Sequence, residues 1–175
     1  MSSHIQNLIR VINSKHLRRE GVSNDFLCNM IKCMNITSAN FTGVHSPQEW
    51  AVPSNGEQLT PYYSVINIKM KNHVGHFIVL ITFREYFLYL DPFGLPPITQ
   101  ELKNKTDHKP LFFNIKCIQS ANSSYCGLYC LFFIASIFCK TDDQLKYYKF
   151  ADNDSDSLNE SRCLEYLYLL FSQWS

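Results

Sequence analysis

The sequence predicts an α+β fold in which a central mixed β-sheet packs on a buried helix. Three observations predict it. Four short runs rich in Ile, Val, Phe and Tyr, at 63–70, 76–83, 86–90 and 111–118, are bounded by turn residues and read as strands. The run at 127–139 is apolar on nearly every face and too long for an ordinary strand, which suits a helix at the centre of the molecule. Amphipathic helical spacing appears at 3–19, where Ile5, Leu8, Ile9, Ile12 and Leu17 recur ahead of Gly21, and again at 158–171. Strands in the middle with helices toward both ends make an α+β arrangement.

Taken in order, the first helix ends in the cluster Lys15-His16-Leu17-Arg18-Arg19, which reads as a solvated helix end. A second short helix is expected at 25–34, capped by Ser23 or Asn24. Residues 35–61 hold Gly43, Pro47, Pro53, Gly56 and Pro61 and are expected to be mostly loop, with Trp50 either walling a groove or anchoring the core. Arg84 and Glu85 separate the second and third strands, which predicts a tight antiparallel hairpin. An acidic, polar loop at 152–156 precedes the last helix.

At 175 residues with 46% hydrophobic and 14% aromatic content, the chain suits one domain, 1–175, around one core. Sixteen basic residues against 15 acidic ones leave a net charge of +1, which argues against a protein that coats nucleic acid. The aromatic content and low charge also exclude disorder. The longest apolar run, 128–139, falls short of the ~20 residues a bilayer requires, so no membrane association is expected. The first residues show no secretory signal. Seven cysteines without a Cys-x-x-Cys pair form neither a regular disulfide framework nor a zinc ribbon, which points to reduced thiols inside a cell and to no bound metal.

The chemistry gathers in the second half. If the hairpin turns between Phe83 and Glu85, positions 76 and 91 fall opposite each other or within two residues, so His76 and Asp91 are candidates for a His–carboxylate pair. Taken singly, they read more readily as a surface histidine and a turn-forming aspartate before Pro92. Cys126 stands where the polar residues Asn122-Ser123-Ser124 give way to the apolar helix. A thiol at a helix N-terminus meets unpaired N–H groups and the positive end of the dipole, conditions that favour a nucleophilic thiolate. Any one cysteine is otherwise a buried, inert residue, as Cys130 and Cys139 read. Gln119, seven residues before Cys126, offers an amide N–H₂ for an oxyanion. The ordered set His76, Asp91, Gln119, Cys126 supplies base, orienter, oxyanion donor and nucleophile.

On three segments the sequence resembles the adenovirus-type maturation cysteine proteases, including the virophage and Maverick-type branch, whose fold is shared with SUMO-specific proteases. Gly75-His76-Phe77 is similar to the family's His followed by an aromatic residue, usually Trp. Leu90-Asp91-Pro92-Phe93-Gly94 resembles the acid-Pro-Phe-Gly segment of the adenoviral branch, with Asp in place of Glu. Gln119-x-x-Asn122-Ser123-x-x-Cys126-Gly127-Leu128-Tyr129-Cys130 has that branch's residues at its spacing. These segments lie within residues 63–140.

The resemblance implies a papain-like (adenain-like) cysteine protease fold with the nucleophile at the N-terminus of the buried helix. It implies a thiol endopeptidase that cleaves capsid or other virion precursors next to small residues such as Gly, in virions and the interior of the host cell, without a cofactor. Cys126, His76 and Asp91 would form the triad and Gln119 the oxyanion donor. It also raises an activator, DNA or peptide. However, no cysteine stands where the adenoviral enzyme binds its peptide by disulfide, and a charge of +1 gives DNA little to hold. A monomer is expected. Other readings are a protease for SUMO or ubiquitin-like modifiers, an acetyltransferase with the same His-acid-Cys set, and a non-catalytic binding domain.

Overall fold

The computed structural model describes residues 21–53, 59–69, 75–120, 122–139 and 156–172. The helix expected at 3–19, its basic cluster and all of the 152–156 loop but Asp156 lie outside the described residues. The first described helix, α1 (Asn24–Cys33), begins where the Ser23 hydroxyl accepts a hydrogen bond from the Phe26 N–H at 3.1 Å. Asp25 in its first turn and Lys32 in its last suit the helix dipole, and Leu27, Met30 and Ile31 supply the buried stripe.

Five strands follow: β1 (Asn40–His45), β2 (Tyr62–Ile68), β3 (His76–Thr82), β4 (Phe87–Leu90) and β5 (Leu111–Phe113). They lie side by side in chain order. The inner pairs β2/β3 and β3/β4 are antiparallel and the outer pairs β1/β2 and β4/β5 parallel, so the sheet is mixed as expected. The β3–β4 hairpin closes on the two-residue loop Arg84-Glu85, with the Phe83 N–H donating to the Tyr86 carbonyl at 2.9 Å. Central β3 is buried at all seven positions, which is why its sequence is a nearly unbroken apolar run.

Three helices complete the described chain: α2 (Gln100–Thr106), α3 (Cys126–Phe138) and α4 (Asp156–Ser172). One sheet face, with Tyr63, Val65, Phe77, Val79 and Ile81, packs in a single cluster with α1, α3 and α4. Helix α3 lies against β3 and is covered by α4 and α1, so that residues 126–132, Ile134 and Ala135 are buried while Ser136 and Ile137 in its last turn are exposed. The other face, with Ile66, Ile78, Leu80, Phe87 and Tyr89, packs on Trp50 and on Leu102 of α2. Lys105 of α2 donates to the carbonyls of Pro47 (2.9 Å), Gln48 (2.8 Å) and Trp50 (2.5 Å), fastening the turn before Trp50 to that layer.

Several expectations change. Residues 35–61 are not mostly loop around their start, because Asn40–His45 forms edge strand β1. It carries little period-two signal, since it pairs on one side only, is nowhere fully buried, and shifts register between Phe41 and Gly43. The last strand stops at Phe113 instead of running through 118, for a reason that lies in the site below. Helix α2, only seven residues long and capped by Thr99, is too short to announce itself by periodicity. Helix α4 starts at Asp156, the last residue of the expected acidic loop. Trp50 is a core anchor: it is 1% exposed, donates its indole N–H to Ser64 Oγ at 3.0 Å and meets Phe87 edge-on. Among the described residues no helix is long and apolar enough to cross a membrane.

Candidate active site

Asp91 follows the last residue of β4 and opens the turn Asp91-Pro92-Phe93-Gly94. The Gly94 N–H donates to the Asp91 carbonyl at 2.8 Å, and Pro92 takes the second position, where its fixed φ is favourable. The Asp91 side chain closes the turn from inside, with Oδ1 accepting the Phe93 N–H at 2.7 Å. Gly94 has φ +68° and a Cβ there would stand 2.7 Å from the Lys116 carbonyl carbon, so only glycine lets the 115–117 backbone cross at this point.

The strand register then delivers the histidine. Val79 faces Leu90, so the next position, 91, continues opposite Ile78, two residues from His76 and on the same face. His76 Nε2 and Asp91 Oδ1 meet at 2.9 Å, with the two side chains 4% and 0% exposed. The Phe93 ring stacks on the imidazole with centroids 4.7 Å apart. Phe77, the aromatic residue that follows His76 in the sequence, is turned by strand alternation into the α3 layer. Phe93, opposite His76 in the extended register, forms the wall instead.

Cys126 is the first residue of α3, and the Tyr125 cap contributes no side-chain hydrogen bond. Its sulfur lies 4.0 Å from the carbonyl oxygen of Gly75, the residue that precedes His76. Burial by itself would lower the pKa of His76. Hydrogen bonds to Asp91 and Cys126, and the negative charges of both, outweigh that burial and push it up to about 9. With Nε2 bound to the carboxylate, Nδ1 is the ring nitrogen that can serve the sulfur. Cys130, one turn further along the same helix, is fully buried, and burial holds its thiol pKa well above the ordinary value.

Gln119 is 1% exposed and lies between the Asp91 turn and the α3 approach. Its backbone N–H donates to the Pro92 carbonyl at 3.1 Å, beside that of Ile118 at 2.9 Å. Its side-chain amide donates to the Ser123 carbonyl at 2.8 Å, three residues before Cys126, which leaves the second amide N–H to serve elsewhere. Asn114, which stands in no motif of the sequence, brackets the backbone of Asp91 with its side chain.

Between the 46–49 turn and the end of β2 lies a cavity of about 390 Å³, lined by none of His76, Asp91, Gln119 and Cys126. Its lining includes Asn24, Gln48, Glu49, Asn67 and Thr99 and is mostly polar. Among the described residues no group of three or more His, Cys, Asp or Glu is placed to hold a metal ion.

The fold is that of known cysteine proteases. The chain is similar to the SUMO protease Ulp1 with its catalytic cysteine oxidized to a sulfenic acid, at 11% identity and TM-score 0.50, over 100% of this chain and 97% of that one. It is also similar to the ASFV pS273R protease, at 14% identity and TM-score 0.50, over 85% of this chain and 66% of that one. No protein-family model and no curated protein sequence matches the chain.

Proposed function

We propose that the protein is a cysteine endopeptidase that matures virion precursor proteins. The observation that carries this reading is one buried imidazole bonded to Asp91 at 2.9 Å, with the Cys126 sulfur at the start of α3 lying 4.0 Å from the carbonyl oxygen of the adjacent residue, Gly75. In that arrangement Cys126 attacks the scissile carbonyl, and His76 takes the thiol proton and later gives it to the leaving amine. Asp91 holds the imidazole through Nε2 and stabilises its charged form. The Gln119 amide and the Cys126 N–H receive the oxyanion. The viral assignment is supported by the Asp91-Pro92-Phe93-Gly94 and Gln119-to-Cys130 segments, which resemble the adenoviral branch.

The match to nearly the full length of a SUMO protease chain favours a second reading, a peptidase for ubiquitin-like modifiers. A direct comparison separates the two. Unfolded capsid-precursor peptides carrying Gly near the cut site and a folded modifier precursor are offered to wild type and to Cys126→Ala. Cleavage of the peptides alone supports the maturation protease, and cleavage that requires the folded modifier supports the rival. If neither is cut and Cys126 is no more reactive toward iodoacetamide than exposed Cys117, the protease reading falls.

A further inference from the structure

β5 ends at Phe113, and the side chain of the next residue continues its pairing with β4. The last backbone partners are Tyr89 and Phe113. Beyond them, Asn114 Oδ1 accepts the Asp91 N–H at 2.7 Å, and Asn114 Nδ2 donates to the Asp91 carbonyl at 2.7 Å and to the Lys116 carbonyl at 3.1 Å. The orientation of the amide is determined by its partners, because a flipped amide would set N–H₂ against N–H and oxygen against oxygen. The chain released from the ladder then turns back across Gly94, and the Ile118 and Gln119 N–H groups bind the Pro92 carbonyl. Asn114 therefore holds both backbone groups of the residue whose carboxylate holds His76, and it begins the segment that leads to Gln119.

We infer that Asn114 is a positioning residue, an amide bracket that fixes the Asp91 carboxylate against His76. The inference rests on the protease reading for what the held carboxylate does, but its geometry stands apart from any activity. An alanine at 114 frees the Asp91 backbone, and the carboxylate then reaches Nε2 only part of the time. An aspartate keeps the acceptor for the Asp91 N–H and loses the donor to its carbonyl, so it gives an intermediate effect.

The test uses the full chain as wild type, Asn114→Ala, Asn114→Asp and the control Asn104→Ala, which removes a surface amide that accepts from Gln100. The His76 ring is titrated by NMR, with His76→Gln to assign its signal. Thermal stability is followed alongside, and kcat and KM are measured on a cleaved peptide. The groups that bear on His76 are Asp91 and Cys126. The expected result is an apparent His76 pKa lowered by about one unit or more in Asn114→Ala, less in Asn114→Asp and unchanged in Asn104→Ala. With it kcat falls about 10- to 100-fold at constant KM. An Asn114→Ala or Asn114→Asp protein that folds and titrates like wild type overturns the inference, even if its melting temperature drops. A shifted titration in a chain that cleaves nothing supports the bracket and removes the protease reading instead.

Discussion

At the scale of single residues, the site depends on which thiol is reactive and on the charge of one imidazole. Burial pushes Cys139 up to about 11 and Cys163 well above the ordinary range, so these thiols stay protonated near neutral pH. Iodoacetamide at pH 7 is expected to label Cys126 faster than exposed Cys117, and His76→Ala should slow Cys126 alone. Peptide mass mapping reads both rates. Hydrolysis should fall by more than roughly 10³-fold in Cys126→Ala. Gln119→Ala should lose about 10²–10³ in kcat, the scale of one oxyanion donor. The pH dependence has a definite sign. The pKa of His76 is raised from 6.5 to about 9, so the stabilisation by its pairing is complete below pH 6.5 and is lost as the pH rises through about 9. The melting temperature of wild type should therefore converge on that of His76→Gln between those limits, and a constant difference up to pH 10 would count against the charged pair.

At the scale of elements, the turn after β4 and the start of α3 do most of the positioning. Gly94→Ala meets both a left-handed φ of +68° and the crossing 115–117 backbone. It should cost more than the ~1 kcal/mol of a simple left-handed penalty, as measured by urea unfolding. Its effect on kcat should exceed that of Ser23→Ala, which removes the α1 cap at about 1 kcal/mol far from the Asp91 turn. Elements that bury a regular pattern were legible in sequence, namely α1, α3, α4 and the three inner strands. β1 and α2 were not. β1 pairs on one edge only and has a register shift, and α2 is seven residues held largely by Thr99 and by Lys105 reaching the 47–50 carbonyls. Neither leaves a periodic hydrophobic trace.

At the scale of the whole molecule, the sheet separates two apolar layers with different tasks. The α1–α3–α4 layer carries the nucleophile, while the Trp50–α2 layer backs the strands that present His76 and Asp91. Trp50→Ala should destabilise the protein by about 3–5 kcal/mol, a large-to-small core change. Because the indole is sealed in the second layer, KM at temperatures where the variant stays folded should match wild type. A raised KM would place Trp50 on the substrate path after all.

Local sequence by itself determined the β3–β4 hairpin, the Asp91-Pro92-Phe93-Gly94 turn and the apolar helix beginning at Cys126. These follow from turn chemistry and hydrophobic patterning within a few residues. From the hairpin arithmetic, the nearness of His76 and Asp91 could also be read. Only the tertiary structure decided that Phe93 and not Phe77 lies on the imidazole, that Trp50 is core, and that Asn114 takes over from β5 to grip Asp91. Each of those outcomes depends on which face of the sheet a side chain reaches and on where a ladder runs out. Residues separated along the chain settle such matters through register and packing, and no window along a single strand contains them.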